Sequence, residues 1–200
     1  SFYLLYSRLG IDVAGPSVGK AKTTAKLEVD FRGSGSNFAM IRVRHAYVNL
    51  DWGKSAVLLG QTWHPLFGDV SPQILNLSVG APFQPFSRAP QIRYRYTNKN
   101  FQLTGAAVWQ SQYTSQGINP DKPKESKKSH EYLKNGCIPE IYVGADYKKD
   151  GLLAGVGIEL LSLKPRTSAL GANGDKYKIN ERITTLSYEA HAKYTHKAWF

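Results

Sequence analysis

Apolar and polar residues alternate with period two along most of the chain, and helical periodicity is nearly absent. From Tyr3 the odd positions read Tyr3, Leu5, Ser7, Leu9, Ile11 and Val13, against Tyr6, Arg8, Gly10, Asp12 and Ala14. After a Gly15-Pro16 break, Ala21, Thr23, Ala25, Leu27, Val29 and Phe31 alternate with Lys22, Thr24, Lys26, Glu28, Asp30 and Arg32. A helix would scatter those charges around its circumference, whereas a strand collects them on one face. A third strand, over about 38–52, sets Ile41 and Val43 against Arg42 and Arg44. Its parity changes near His45, after which Ala46, Val48, Leu50 and Trp52 carry the apolar face, as a β-bulge would produce. Further strands are predicted at about 55–63, 91–97, 101–113, 140–148, 152–163 and 185–194, about nine in all.

The connections sort by length. Short turns are predicted near Gly15, Gly53, Asn98 and Gly151. The alternate connections, 64–88, 115–139 and 165–180, are long, and the short 33–37 link falls on their side. Such sorting is the mark of an up-and-down meander crossing a bilayer, with small periplasmic turns at one rim and larger outer loops at the other. Several strands reach the roughly 9–11 residues that span a bilayer at a tilt. Aromatic residues gather near strand ends: Tyr3, Phe31, Tyr47, Trp52, Tyr94, Tyr96, Phe101, Trp109, Tyr147, Tyr194 and Trp199. That is the girdle position of a membrane barrel, although aromatic residues favour strands in any setting. The expected fold class is therefore all-β: an antiparallel, up-and-down transmembrane β-barrel occupying the whole 1–200 chain as a single domain. About nine strands of a larger barrel are visible, which suggests a chain truncated at both ends.

Composition narrows the choice. With 42% hydrophobic and 12% aromatic residues among 200, the chain is too apolar for disorder. It has no apolar run of the ~20 residues that a membrane helix needs. Twenty-six basic against 15 acidic residues give a formal charge of +11, so anionic partners or solutes merit consideration. The single cysteine, Cys137, allows no internal disulfide or cysteine-rich metal site. The chain opens at Ser1 inside an alternating segment, without an initiator Met or export signal, as a processed or partial chain would.

The run Arg42-Val43-Arg44-His45-Ala46-Tyr47-Val48-Asn49-Leu50-Asp51-Trp52 is followed by Leu59-Gly60-Gln61-Thr62-Trp63-His64-Pro65 and by Gly80-Ala81-Pro82-Phe83-Gln84-Pro85-Phe86-Ser87-Arg88. With Ser7-Arg8-Leu9-Gly10 and Lys26-Leu27-Glu28-Val29-Asp30-Phe31 upstream, these segments resemble the DcaP-like porins of the Gram-negative outer membrane, in the form common among Bacteroidota. The resemblance covers about residues 2–115 and implies a homotrimeric solute channel surrounded by outer-membrane lipid and lipopolysaccharide. Members of that family are considerably longer, with an export signal and further C-terminal strands.

If the amphipathic strands close into a barrel, their polar parity faces water. It carries Arg8, Lys22, Lys26, Arg32, Arg42, Arg44, Arg93 and Arg95 against Asp12, Glu28 and Asp30. An excess of cationic groups would concentrate anions and oppose cations. The alternative is that these charges pair with one another and stiffen the wall. The proline-punctuated segment 64–88 is a candidate pore-constricting loop, with His64, Phe67, Asp69, Phe83, Phe86 and Arg88 as its candidate residues; a cap or an intersubunit latch would also suit it. The lysine-rich 121–134 stretch, within the candidate extracellular loop 115–139, reads as a solvated outer loop. No catalytic set stands out, the histidines lack metal-ligand spacing, and no cofactor or metal is expected. The main reading is passive diffusion of small hydrophilic, preferably anionic, solutes, with no nucleic-acid partner. Two other classes remain open: an outer-membrane barrel hydrolase, with His64 and Asp69 as a fragment of its site, and a basic soluble β-protein that binds nucleic acid.

Overall fold

The structure, a computed structural model, describes residues 7–33, 40–67, 70, 86–119 and 122–195. Its centre is one nine-stranded antiparallel sheet. Six strands come first: β1 (Arg8–Ala14), β2 (Lys22–Asp30), β3 (Arg42–Asp51), β4 (Ser55–Trp63), β5 (Arg88–Asn98) and β6 (Phe101–Val108). A hairpin of β7 (Gln116–Asn119) and β8 (Lys122–Lys128) and a short helix α1 (Glu131–Gly136) follow. The sheet resumes with β9 (Glu140–Lys149) and β10 (Leu152–Leu163), passes a small β11 (Ser168–Leu170) and β12 (Lys176–Lys178) hairpin, and ends at β13 (Ile183–Tyr194). Strands are ordered β1-β2-β3-β4-β5-β6-β9-β10-β13, each beside its predecessor, so the expected up-and-down meander is what forms.

Residues directly opposite in an antiparallel pair share a face, so the register identifies both faces. One row crosses every strand as Val13, Ala25, Val48, Leu59, Ile92, Ala107, Ile141, Leu160 and Leu186, all of them apolar. Yet this face is the exposed one: Leu27, Ile92, Leu103, Val143, Leu186 and Tyr188 are all open to the surroundings. The opposite face holds the buried polar side chains, among them Arg44, His45, Gln91, Arg93, Thr104, Glu140 and Glu159. A water-soluble sheet protein hides its apolar face and shows its polar one. Here the arrangement is inverted.

The short turns share one rim. Thr97 N–H donates to Lys54 C=O at 2.7 Å, Lys148 N–H to Asn100 C=O at 2.7 Å, and Thr195 N–H to Gly151 C=O at 2.9 Å, tying consecutive turns side by side. The long connections leave from the other rim. They are more structured than their composition suggests, because the lysine-rich stretch read as a solvated loop pairs as β8 along β7. Strand β6 also stops at Val108, short of the expected extension to residue 113.

At the turn rim Trp52, Tyr96, Phe101 and Tyr194 are exposed on the apolar side, and Phe101 lies 5.1 Å from Tyr147 between ring centroids. Tyr47 departs from the girdle expected of it. It occupies the polar face, opposite Gly60 and beside His45, because the bulge in β3 moves it there. Gly60 has φ +130°, and a Cβ at that position would lie 2.7 Å from Tyr47 Cα, so glycine lets the two strands approach.

Candidate functional site on the concave polar face

The sheet curls so that side chains from β3, β4, β5, β6, β9 and β13 line one concavity of about 230 Å³. Its lining includes Tyr47, Trp63, Arg93, Arg95, Tyr142 and His191. The β3 bulge shapes one side of it. His45 pairs with Glu28 and Val43 with Val29, leaving Arg44 as the extra residue between them. Arg44 and His45 are consequently both buried on the polar side. His45 Nδ1 meets Thr62 Oγ1 at 3.0 Å.

The bulge also makes an ion-pair ladder. Arg42 donates to both oxygens of Asp30, from Nε at 3.1 Å and Nη2 at 2.6 Å. Arg44 bridges two strand positions, with Nε to Glu28 at 2.5 Å and Nη1 to Asp30 at 3.0 Å. Lys26 Nζ lies 3.2 Å from Asp12. Arg93 is held by neutral acceptors, Gln91 Oε1 at 2.7 Å and the Trp63 carbonyl at 2.5 Å. Arg95 lines the concavity beside it. Arg8, Lys22 and Arg32 are exposed, toward the β1–β2 side of the sheet. Among the sequence-predicted cations, Lys26, Arg42 and Arg44 thus pair with carboxylates on β1 and β2, while Arg93 donates to Gln91 and to the Trp63 carbonyl.

The described parts of the 64–88 connection turn in toward this face. A 3-10 turn at Pro65–Phe67 follows β4, and Leu66 packs against the buried Ala89, Ala106, Val108 and Tyr142. Phe67 stacks on Trp63 at 4.7 Å and meets Phe86 edge-on at 5.4 Å. Arg88 lies over the Trp63 ring at 4.7 Å, a cation–π arrangement. Its Nη1 is buried without a hydrogen-bond partner among the described residues. Asp69 and Phe83, named with this loop, lie outside the described residues; so does the acid of the His64–Asp69 pair considered for hydrolysis.

The far side of the concavity is acidic, which reading β1, β2, β3 and β5 alone had missed. Tyr142 donates to Glu189 at 2.5 Å, and His191 Nε2 lies 2.8 Å from Asp146. Gly144 and Gly157 leave the space into which the Tyr142 phenol fits. Buried His64 has its Nε2 3.1 Å from Glu140 and 3.2 Å from Glu159. These three residues are the described group able to hold a metal ion. Sequence spacing gave no sign of it, since His64 and Glu140 are 76 residues apart. The available signal was parity, which puts both glutamates on the polar face.

The family model described as DcaP outer membrane protein matches residues 4–110. Among solved structures, the chain is similar to OmpTdeltaL8, the loop L8 deletion mutant of OmpT, an outer membrane protein of Vibrio cholerae. The two are 12% identical, the match covers 95% of this chain and 68% of that one, and the TM-score is 0.43. No curated protein matches.

Proposed function

The chain belongs to the DcaP outer membrane protein family, and from that premise we propose that it is a porin through which small hydrophilic anions diffuse passively. One observation carries the reading: an unbroken apolar row across nine strands on the exposed face, backed by a buried polar face with cationic side chains. Lipid accepts the first and water requires the second. The edge strands β1 and β13 are not paired with each other among the described residues, and further strands would close the barrel. We infer a homotrimer of the Bacteroidota type, from the sequence resemblance. In this reading the short-turn rim is periplasmic, and 115–139 reaches outside.

The cationic wall works by attraction and exchange. Arg93 and Arg95 are two residues apart on β5, so their side chains stand roughly 7 Å apart along the wall. Guanidinium stays ionised in a narrow pore and offers a carboxylate or phosphate a planar fork of donors. Arg88, over the Trp63 ring where the described ends of the 64–88 connection turn inward, adds positive charge to that side. Arg42 and Arg44 contribute less field than their charges suggest, because Asp30 and Glu28 offset them. The acidic patch opposite would give the lumen a transverse field, in which a solute keeps its orientation while passing weak, successive sites. Anion preference should fade with salt, since the screening length is about 10 Å at 0.1 M.

The test is the reversal potential of the channel in planar bilayers under a KCl gradient. Wild type should prefer anions. Neutralising Arg42, Arg44, Arg93 and Arg95 together should move the potential toward cation preference; an unmoved potential would leave these arginines as wall structure.

A further inference from the structure

We propose that His64, Glu140 and Glu159 form a binding site for a divalent transition-metal ion, with zinc as the representative. The proposal stands on these three side chains and is independent of the channel reading. The imidazole of His64 and the two carboxylates are all buried, on the residue after β4, the first residue of β9 and the middle of β10. Their donor atoms lie within 4.8 Å of one another. The separations from Nε2 to the two carboxylates are 3.1 and 3.2 Å. A tetrahedral ion with bonds of about 2.0–2.1 Å has its ligand atoms roughly 3.3 Å apart, which the two imidazole–carboxylate separations already match.

The ring is turned so that Nε2 meets both carboxylates. Nδ1 of His64 faces the Leu66 N–H at 3.3 Å, so in the neutral ring the proton sits on Nε2. That single N–H serves Glu140. Glu159 Oε2 is buried and has no hydrogen-bond partner among the described residues, although it is aimed at the same nitrogen. Two buried carboxylates therefore converge on one ring nitrogen, and a dication placed among the three would offset both carboxylates. On binding, the Nε2 lone pair goes to the metal, the ring proton moves to Nδ1, and the Leu66 amide turns away from its long contact.

One imidazole and two carboxylates form a borderline donor set that suits zinc or manganese better than magnesium or calcium, which prefer oxygen alone. His64 lines the concavity, which gives the ion a way in from water, and positions not taken by protein remain for water or a passing anion.

The experiment uses the whole chain, folded in detergent, stripped with a chelator, and carrying Cys137→Ser to remove an exposed thiol that would also take zinc. Calorimetric titration with zinc chloride should give one site per chain. Glu159→Gln and His64→Gln should each weaken it at least tenfold, while magnesium and calcium compete poorly. Cobalt(II) absorption on the same unsubstituted site reports nitrogen and oxygen ligation, and covers the case in which a substituted chain does not fold. Absence of zinc binding, a cobalt spectrum unchanged from the aqueous ion, or an affinity in both variants unchanged from that of the parent chain would overturn the proposal.

Discussion

Replacing Asp30 with Asn separates the two roles available to the arginine ladder. Asp30 is buried and accepts from Arg42 at 2.6 and 3.1 Å and from Arg44 at 3.0 Å. Asn keeps the volume and removes the charge. Arg44 retains Glu28 at 2.5 Å, whereas Arg42 loses the carboxylate that holds it. Breaking a fully buried pair costs about 3–5 kcal/mol, and breaking an exposed one at most about 1. The Arg42 side chain is 28% exposed and that of Arg44 9%, so the ladder sits between these limits. A loss of roughly 2–3 kcal/mol follows, or about 30- to 140-fold in the unfolding equilibrium at 1.4 kcal/mol per decade. Reversible urea unfolding from lipid vesicles, followed by tryptophan fluorescence, measures it. The same variant leaves Arg42 uncompensated, so its reversal potential should shift further toward anions. A stability change under about 0.5 kcal/mol together with an unmoved potential would refute both the ladder and its link to the field.

Two further substitutions probe the wall itself. Leu27→Arg places a charge on the exposed apolar face and should cost about 2–4 kcal/mol in bilayer unfolding if it lies near the midplane; a neutral result would mean that this face does not meet lipid. Gly60→Ala forces a side chain into a φ of +130° against the β3 backbone. It should cost about 1–3 kcal/mol from the backbone alone and more from the clash, read as a lower urea midpoint.

Period two was enough to find the nine sheet strands, because a face that meets lipid and a face that meets water impose strict alternation over long runs. The switch at His45 was legible for the same reason: a single extra residue flips all parity after it. The strands β7, β8, β11 and β12 span only three to seven residues, too few for alternation to rise above composition. Tyr47 misled because aromatic residues serve both as girdle and as lumen lining, and its place near the strand end outweighed the parity switch at His45, which puts it on the polar face. The pairing of Arg42 and Arg44 with Asp30 and Glu28, and the meeting of His64 with Glu140 and Glu159, depend on which strands are neighbours and on their offset. Neither is written in the spacing of the residues along the chain.

Alternating thiol accessibility along β5 tests the inverted sheet most directly. In a Cys137→Ser background, single cysteines are placed at Gln91, Ile92, Arg93, Tyr94, Arg95 and Tyr96 and exposed in outer membranes to a charged, water-soluble thiol reagent. The buried polar face carries Gln91 and Arg93, and Arg95 lines the concavity, while Ile92, Tyr94 and Tyr96 are exposed on the apolar side. Cysteines at 91, 93 and 95 should react, and those at 92, 94 and 96 should stay protected by lipid. Uniform labelling, or labelling with the opposite parity, would contradict a water-filled concave face and with it the account of a channel.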